Sequence, residues 1–290
     1  MKVKEALAEG IKILKHSNIE APVVDTGVIL SFVLQRDRVF LYSHGDYELT
    51  EDEKKRFLDA ASRRAGGMPV QYITGCQEFM SLSFRVTPDV LIPRHDTEIL
   101  VETVINLVKI EQGRPSQQNF LDIGTGSGCI AVSLAYYMDN CHVTAIDISE
   151  KALDVARINA VKNGVADRIA FVKSDMFSGL PGLPPDIMFD AIVSNPPYIP
   201  QDDIKGLQAE VREYEPHTAL DGGNDGLCCY RAIVEVSPRF LKRGGLLAFE
   251  VGYNQADAVC GIMMDRFADI LVTRDLTGHS RVVSGKLTYI

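Results

Sequence analysis

Apolar residues in the first 75 positions follow the spacing of amphipathic helices. The first stripe takes positions i, i+3, i+4, i+8 and i+11, and its members are Val3, Ala6, Leu7, Ile11 and Leu14. A second apolar-rich segment covers 25–35, and Thr50 with Glu53 makes a capping-box pattern that opens a charged helix over 51–65. These patterns predict a small helical domain over residues 1–76. The basic residues of its charged helix either form a solvated face or dock an anionic partner.

The period of the pattern changes after this helical part. Residues 77–93 mix apolar and polar positions and include a Thr-Pro-Asp turn, which predicts a β-hairpin linker. From residue 94 onward, short apolar runs alternate with helical periods. Helices are expected over 96–111, 129–138, 150–163, 226–241 and 254–267, and strands over 120–123, 142–147, 169–172, 191–194, 246–251, 270–273 and 281–287. This order predicts an α/β domain over 94–290 around a mainly parallel sheet.

In such sheets ligands bind beyond the carboxyl ends of the strands, so the residues after each strand are candidates for a site. Gly124, Gly126 and Gly128 follow the first strand and allow backbone N–H groups to approach a ligand at a helix N-terminus. Asp147 ends the second strand, where a carboxylate grips a ribose hydroxyl pair. The third glycine of a dinucleotide pattern would fall on Cys129. We therefore expect a ribose-bearing cofactor without a diphosphate; the alternative is a structural turn.

Further candidates follow the third and fourth strands. Asp175 is expected either to accept a hydrogen bond from an adenine amino group, with Met176 or Phe177 against the ring, or to cap a helix. After the fourth strand the chain reads Asn195-Pro196-Pro197-Tyr198. The prolines remove two N–H donors and hold Asn195 extended. We expect a rigid corner, made by the Asn195 side-chain oxygen, the Pro196 carbonyl and the face of Tyr198, that holds a planar NH₂ group by both hydrogens.

Composition and charge narrow the function classes. The 290 residues are 46% apolar and 24% charged, which is typical of a globular chain of about two domains. With 30 basic and 39 acidic residues, the net charge of −9 argues against binding to nucleic-acid phosphates. The six cysteines show neither a C-x-x-C pair nor a His at ligand spacing, so we expect buried free thiols in a reducing compartment and no metal. The charged N-terminus and the lack of a long apolar run predict a cytoplasmic protein that spans no membrane.

The motifs together resemble those of class I S-adenosylmethionine-dependent methyltransferases, and in detail those of the HemK/PrmC family, the peptide chain release factor glutamine methyltransferases. The resemblance covers nearly the whole chain. Beyond the glycine loop and the Asn195–Pro200 motif, it includes 69–75, 90–94, 96–98, 215–216, 219–220, 222–223 and 225–227. The chain departs from the family pattern at His95, which we interpret as a loop substitution, and at Met176, where relatives can carry an aromatic residue.

The resemblance implies a Rossmann-like methyltransferase domain that moves a methyl group from S-adenosylmethionine to the glutamine amide of a release factor's Gly-Gly-Gln motif, leaving S-adenosylhomocysteine. The implied catalytic positions are Asn195, Pro196, Pro197 and Tyr198. The implied cofactor-binding positions are Gly124, Thr125, Gly126, Ser127, Gly128, Asp147, Asp175, Met176 and Asn195. Residues 1–76 then recognise the substrate. We expect a monomer that binds release factors, with no nucleic-acid, membrane or metal partner.

Other functions remain open on the sequence. The runner-up is methylation of an exocyclic amine of adenine or guanine in DNA or RNA, because the same corner would hold that NH₂ group; the negative charge and the short helical domain argue against it. An NAD-linked oxidoreductase is disfavoured by the glycine spacing, and a silent binding module by the presence of Asp147 and Asn195. Residues 215–227 are expected either to wall a substrate channel or to form an ordinary connection.

Overall fold

The computed structural model describes residues 1–111, 117–180 and 188–288. The chain forms two compact units. The first comprises Met1–Cys76 with Gln208–Tyr214, and the second comprises Gln77–Leu207 with Glu215–Ile290. Within the described ranges, every helix is too short or too polar to cross a membrane.

The first unit is helical. Its elements are α1 (Val3–His16), α2 (Pro22–Leu34), α3 (Arg38–Ser43), α4 (Glu51–Ala65), α5 (Val70–Thr74) and, from later in the chain, α9 (Ala209–Tyr214). Helices α1, α2 and α4 pack together around a core that includes Ile29, Leu30 and Phe57. The predicted capping box opens α4, where Thr50 Oγ1 accepts a hydrogen bond from the Glu53 N–H at 3.2 Å. The expected helical N-terminal region is therefore present.

A buried ion cluster holds α9 within this unit. The Arg64 Nε atom donates to Asp25 Oδ2 at 2.7 Å, and Arg64 Nη1 donates to Glu210 Oε2 at 2.7 Å. Arg64 and Asp25 are both buried. Arg64, one of the basic residues of α4, is therefore committed to internal pairs and is not part of a solvated or docking face.

The second unit contains the β-sheets. Its elements in chain order are β1 (Cys76–Phe79), β2 (Leu82–Arg85), α6 (His95–Glu111), β3 (Gln118–Ile123), α7 (Cys129–Tyr137), β4 (Cys141–Asp147), α8 (Glu150–Lys162), β5 (Ile169–Lys173), β6 (Phe189–Ser194), α10 (Cys228–Val236), β7 (Leu241–Glu250), α11 (Ala256–Met263), β8 (Phe267–Arg274) and β9 (Ser280–Leu287). Strands β1 and β2 form the hairpin, and the other seven form one sheet. The predicted α/β class is confirmed.

The seven-stranded sheet has the order β5-β4-β3-β6-β7-β9-β8. Strands β5, β4, β3, β6 and β7 run parallel, and β9 is antiparallel to both of its neighbours. Helices α6, α7 and α8 cover one face, while α10 and α11 cover the other. The chain places β4 on one side of β3 and β6 on the other, so its connections diverge there. This divergence opens a crevice at the carboxyl ends of β3 and β6.

Three predicted boundaries need correction. The helix expected over 226–241 ends at Val236, and a 3₁₀ turn over Ser237–Arg239 follows. Pro238 lacks the N–H that would continue the helix, and the strand expected from 246 already begins at Leu241. The helix expected over 254–267 covers only Ala256–Met263, because residues from Phe267 pair with β9.

The hairpin is shorter than the linker predicted over 77–93. Its strands end at Arg85, and its two turn residues, Met80 and Ser81, have φ of 51° and 56°. Both values are those of a type I′ turn, which normally selects Asn or Gly. The turn is held by tertiary contacts, since the Met80 N–H donates to Glu98 Oε1 at 2.8 Å and its carbonyl accepts from the Tyr137 hydroxyl at 2.5 Å.

Candidate active site

A cavity of about 570 Å³ lies at the carboxyl ends of β3, β4, β5 and β6 within the second unit. Eight of the twelve predicted site residues line it: Gly124, Gly126, Asp147, Asp175, Met176, Asn195, Pro196 and Pro197. The other four, Thr125, Ser127, Gly128 and Tyr198, do not line it. Residues from the loops after β3, β4, β5 and β6 thus line one cavity.

Backbone N–H groups of the loops after β3 and β4 orient the Asp147 carboxylate at the end of β4. The Gly126 N–H donates to Asp147 Oδ2 at 2.9 Å, and the Ser149 N–H donates to Oδ1 at 2.9 Å. Burial raises the pKa of Asp147, and these hydrogen bonds work in the opposite direction. Because a carboxylate has about four acceptor sites, Asp147 keeps lone pairs for two further donors.

Glycine-loop residues that do not line the cavity stabilise the loop and its packing against α8. Thr125 Oγ1 donates to Asp122 Oδ2 at 2.6 Å, and burial raises the pKa of Asp122 to about 7. Gly128 has a φ of +81°, and a Cβ atom there would lie 2.9 Å from the Cβ of Ala156. Gly128 therefore provides the close approach of α7 to α8, the role that a dinucleotide pattern would give to position 129.

The loop after β5 has a strained backbone that Ser174 stabilises. Met176 has a φ of +48°, which few non-glycine residues adopt. The Ser174 hydroxyl donates to the Met176 carbonyl at 2.5 Å and accepts from the Gly179 N–H at 2.7 Å. No α-helix starts within 175–180, so in that stretch Asp175 does not act as an α-helix cap. Asp175 and Met176 instead line the cavity, whereas Phe177, the other candidate for the ring contact, is buried in the core against Phe240.

The orientation of Asn195 is set by Thr97 behind it. Its Nδ2 atom donates to Thr97 Oγ1 at 3.2 Å, and the amide lies near enough to the Glu250 carboxyl to lower the pKa of that group. Because Thr97 engages the amide nitrogen, Oδ1 is the atom left for a ligand. Across the described part of the chain, no N–H donates to the Pro196 carbonyl. The two acceptors expected from the sequence are both available.

Glu250 is the site residue that sequence reasoning missed. It ends β7, beside β6, and is 2% exposed. Its pKa is raised from the usual 4.5 to about 7; burial is the largest cause and Asp96 acts in the same direction, while the neighbouring Thr97, Arg281 and Asn195 lower it. The Tyr198 hydroxyl points to Glu250 Oε1 at 3.5 Å, which explains why Tyr198 does not line the cavity. The sequence signal that could have identified Glu250 is an acidic residue at the end of an apolar strand, the same signal that identified Asp147.

Part of the segment 215–227 forms a wall of the cavity, through Pro216, Thr218, Ala219 and Asp221. The Ile199 N–H donates to the Leu220 carbonyl at 3.0 Å, which pairs this segment with the Pro-Pro-Tyr turn. At its start, the buried Glu215 accepts a hydrogen bond from Arg94 Nη2 at 2.6 Å. The segment is therefore anchored before the wall residues, at Glu215, and among them, at Leu220.

Two family models match the chain. The PrmC N-terminal domain matches residues 5–75, and the methyltransferase small domain matches residues 95–211. The chain is 38% identical to the release factor glutamine methyltransferase of Clostridium botulinum over 99% of both chains. It is 43% identical to that of Geobacter sulfurreducens, over 94% of this chain and 93% of the relative. With that of Moorella thermoacetica the identity is 45%, over 89% and 88%.

Solved structures share the fold at lower identity. The catalytic domain of hMettl16 in complex with the MAT2A 3′UTR hairpin 6 has a TM-score of 0.55 and 17% identity, over 83% of each chain. The Thermus thermophilus 16S rRNA N2 G1207 methyltransferase, in complex with AdoMet and guanosine, has a TM-score of 0.52 and 16% identity, over 73% of this chain and 49% of that chain. These structures establish a Rossmann-like methyltransferase fold. The near full-length relatives establish more: the chain belongs to the family of release factor glutamine methyltransferases.

Proposed function

We propose that this protein transfers the methyl group of S-adenosylmethionine to the side-chain amide nitrogen of the glutamine in the Gly-Gly-Gln motif of peptide chain release factors. The observation that carries the proposal is the corner at Asn195 and Pro196, whose two free acceptors suit the two hydrogens of a primary amide. Relatives at 38–45% identity that are named for this reaction support the same substrate class.

The cavity fits the cofactor in size and in chemistry. Its volume of about 570 Å³ lies within the range of small-molecule sites, roughly 300–1,000 Å³. Asp147 would accept hydrogen bonds from the ribose hydroxyls, Asp175 from the adenine amino group, and Met176 would lie against the ring. Gly124 and Gly126 leave room for close approach to the backbone. When bound, S-adenosylmethionine supplies a sulfonium methyl group that a nitrogen lone pair can attack.

The substrate amide is a poor nucleophile, because its nitrogen lone pair is delocalised into the carbonyl group. Asn195 Oδ1 and the Pro196 carbonyl would each accept one N–H of the glutamine, which directs the nitrogen and favours the positive charge that develops on it. Thr97 would keep the Asn195 nitrogen turned away from the substrate, and Glu250 would contribute a buried negative charge behind Asn195. Positioning and electrostatics then carry the reaction without a general base.

We further propose that residues 1–76 select the release factor. The match of residues 5–75 to the PrmC N-terminal domain supports this assignment. Helices α2 and α3 also expose apolar side chains, and Val39 and Tyr42 are 71% and 78% exposed. Exposed aromatic and aliphatic side chains of this kind are typical of surfaces that bind protein partners. Tyr42→Ala is expected to raise KM for the release factor while the affinity for S-adenosylhomocysteine stays unchanged.

The proposed reaction is tested by locating the transferred methyl group. The full-length protein is incubated with methyl-labelled S-adenosylmethionine and purified release factors, and the products are digested and analysed by mass spectrometry. The label is expected on the glutamine of the Gly-Gly-Gln motif. Asn195→Ala is expected to lower kcat by about 100-fold or more, the usual effect of losing one positioned polar group.

A matched control separates this effect from general damage. Asn254 is exposed in the same unit, and Asn254→Ala is expected to keep the wild-type kcat. Label on an exocyclic amine of DNA or RNA, with none on the release factor, would contradict the proposed substrate. Wild-type turnover by Asn195→Ala would contradict the role given to that residue.

A further inference from the structure

Two adjacent cysteines open helix α10 beside the cavity. Cys228, like Cys76, is exposed, so the expectation of buried thiols is wrong at these two positions, while Cys229 is buried and forms part of the cavity wall. Their Sγ atoms lie 3.8 Å apart. The proposed methyl transfer uses neither thiol, so the function of the second unit leaves this pair unexplained.

The pair is poorly suited to a disulfide. Cα atoms of neighbouring residues lie about 3.8 Å apart across a trans peptide bond, whereas disulfides usually join Cα atoms that are about 4.4–6.8 Å apart. Closing an S–S bond between Cys228 and Cys229 would therefore distort the first turn of α10. The two sulfurs are better placed to stay reduced and to bind one atom together.

The sulfur spacing is close to that of two ligands on a single soft atom. Two bonds of about 2.3 Å that meet at the roughly 100° angle of a pyramidal trivalent centre separate their sulfurs by about 3.5 Å, which a small rotation of the exposed Cys228 side chain reaches. Within 1–111, 117–180 and 188–288, no three His, Cys, Asp or Glu residues are grouped so that they could hold a metal ion. The pair therefore suits an atom that takes two sulfurs and brings its own third substituent. Trivalent arsenic in an organic arsenical is such a thiol-preferring centre.

We propose that Cys228 and Cys229 form a dithiol site for organic trivalent arsenicals, and that occupation of this site blocks the cofactor cavity. An arsenoxide, R–As=O, reacts with the two thiols to form two As–S bonds, while the bond to oxygen breaks. Both thiol protons leave with the oxygen as water, and arsenic stays trivalent, so no oxidant or reductant is needed.

The two thiols contribute differently. The exposed Cys228 thiol reacts first with the arsenical, and Cys229 supplies the second sulfur once the first As–S bond has formed. Burial raises the pKa of the Cys229 thiol to about 12, so this thiol is protonated at neutral pH and its proton is available for the water that leaves. Because Cys229 shares the cavity wall with Asp221 and Ile233, the closed ring places its organic substituent against that wall.

The test uses phenylarsine oxide and the reduced full-length protein. Intact-mass analysis is expected to show one phenylarsine group per chain, and peptide mapping should place it on the peptide that contains residues 228 and 229. A dithiol such as 2,3-dimercaptopropanol should release the group, whereas a monothiol at the same concentration should not. The affinity for S-adenosylhomocysteine, measured by calorimetry, is expected to fall by about tenfold or more.

Cys228→Ser prevents arsenic from closing a ring with two sulfurs and leaves the cavity wall unchanged. This variant should bind S-adenosylhomocysteine normally and need about 100-fold more reagent for the same labelling, because the second sulfur no longer acts at high effective concentration. Cys76→Ser, which removes another exposed thiol, should be labelled like the wild type. Equal labelling of Cys228→Ser, or an adduct mapped elsewhere, would overturn the site. Unchanged cofactor affinity in fully labelled protein would overturn the blocking. Mass analysis detects the arsenic adduct without an activity assay. The result for the dithiol site is therefore independent of whether the proposed methyl transfer is correct.

Discussion

Glu250→Gln should make the protein more stable and less active. Glu250 is almost completely buried, and burial raises its pKa from 4.5 to about 7. At about 1.4 kcal/mol per pKa unit, this rise means that keeping the ionised carboxylate inside the fold costs about 3 kcal/mol. Glutamine has nearly the same shape and can still accept with its Oε1, but it carries no charge.

The sign of the pH dependence follows from the direction of the shift. Because the folded state binds the proton more tightly than the unfolded state, the Glu250 carboxyl favours folding most below pH 4.5, and this contribution is lost as the pH rises towards about 7. The free energy of unfolding of Glu250→Gln should therefore exceed that of the wild type by up to about 3 kcal/mol at pH 8. The difference between the two proteins should shrink steadily between pH 7 and pH 4.5. Asp122, whose pKa is also about 7, is present in both and cancels.

The activity of the same variant tests the proposed charge effect. Replacing the charged carboxylate behind Asn195 by a neutral amide should lower kcat at pH 8 by about tenfold, or about 1.4 kcal/mol. Glu250→Leu also removes every polar atom of this side chain beside Asn195 and Tyr198, and its kcat should be about 100-fold below that of the wild type.

Stability is measured by urea denaturation followed by circular dichroism, since the chain has no tryptophan. Activity is measured as kcat at several pH values. A stability difference that does not vary between pH 5 and pH 8 would refute the assigned pKa. Equal kcat values for the glutamine and leucine variants would refute the role given to the polar atoms of this side chain.

Two further predictions concern packing and buried charge. In Gly164→Ala the new Cβ atom meets open space at a φ of +72°, and the free energy of unfolding should fall by about 1 kcal/mol. In Gly128→Ala the Cβ atom also meets α8, so the free energy of unfolding should fall by about 3 kcal/mol and cofactor binding should weaken. Equal unfolding midpoints for the two variants would contradict the close approach of the helices. Asp25→Ala leaves the Arg64 guanidinium without its buried partner and should lower the free energy of unfolding by about 3–5 kcal/mol. Asp46→Ala, at an exposed ion pair, should change it far less, and similar losses in both variants would contradict this interpretation.

The sequence predicted the fold where a local rule and the tertiary structure agree. Short apolar runs located all seven strands of the main sheet. The central strands are the clearest cases, because a strand buried on both faces needs a continuous apolar segment, whereas the edge strand β8 is largely exposed. The carboxyl-end rule directed attention to Asp147 and Asn195, which line one cavity. Both successes use information that lies within a few residues along the chain.

The misses depend on contacts between distant residues. The turn at Met80 and Ser81 adopts a type I′ conformation although neither residue favours it, and the partners that hold it lie 18 and 57 residues further along the chain. Thr97 gave no local signal either, because its role is defined by Asn195, which is 98 residues away. Such pairings follow from the topology of the sheet and are invisible to a pattern read over a short window.

Two buried acids and one half-buried acid at the carboxyl edge of the sheet have raised pKa values with one physical cause. Asp122, Asp147 and Glu250 lie on β3, β4 and β7, and burial is the largest cause of the raised pKa of each. Each ionised group lowers the stability of the fold, and a fold selected for stability alone would place apolar residues there. The same exclusion of water strengthens the field of each carboxylate towards a cationic group, because the local dielectric constant is low. A reaction that starts from a sulfonium and develops positive charge on nitrogen gains from such a field, so the destabilising acids and the proposed chemistry explain each other.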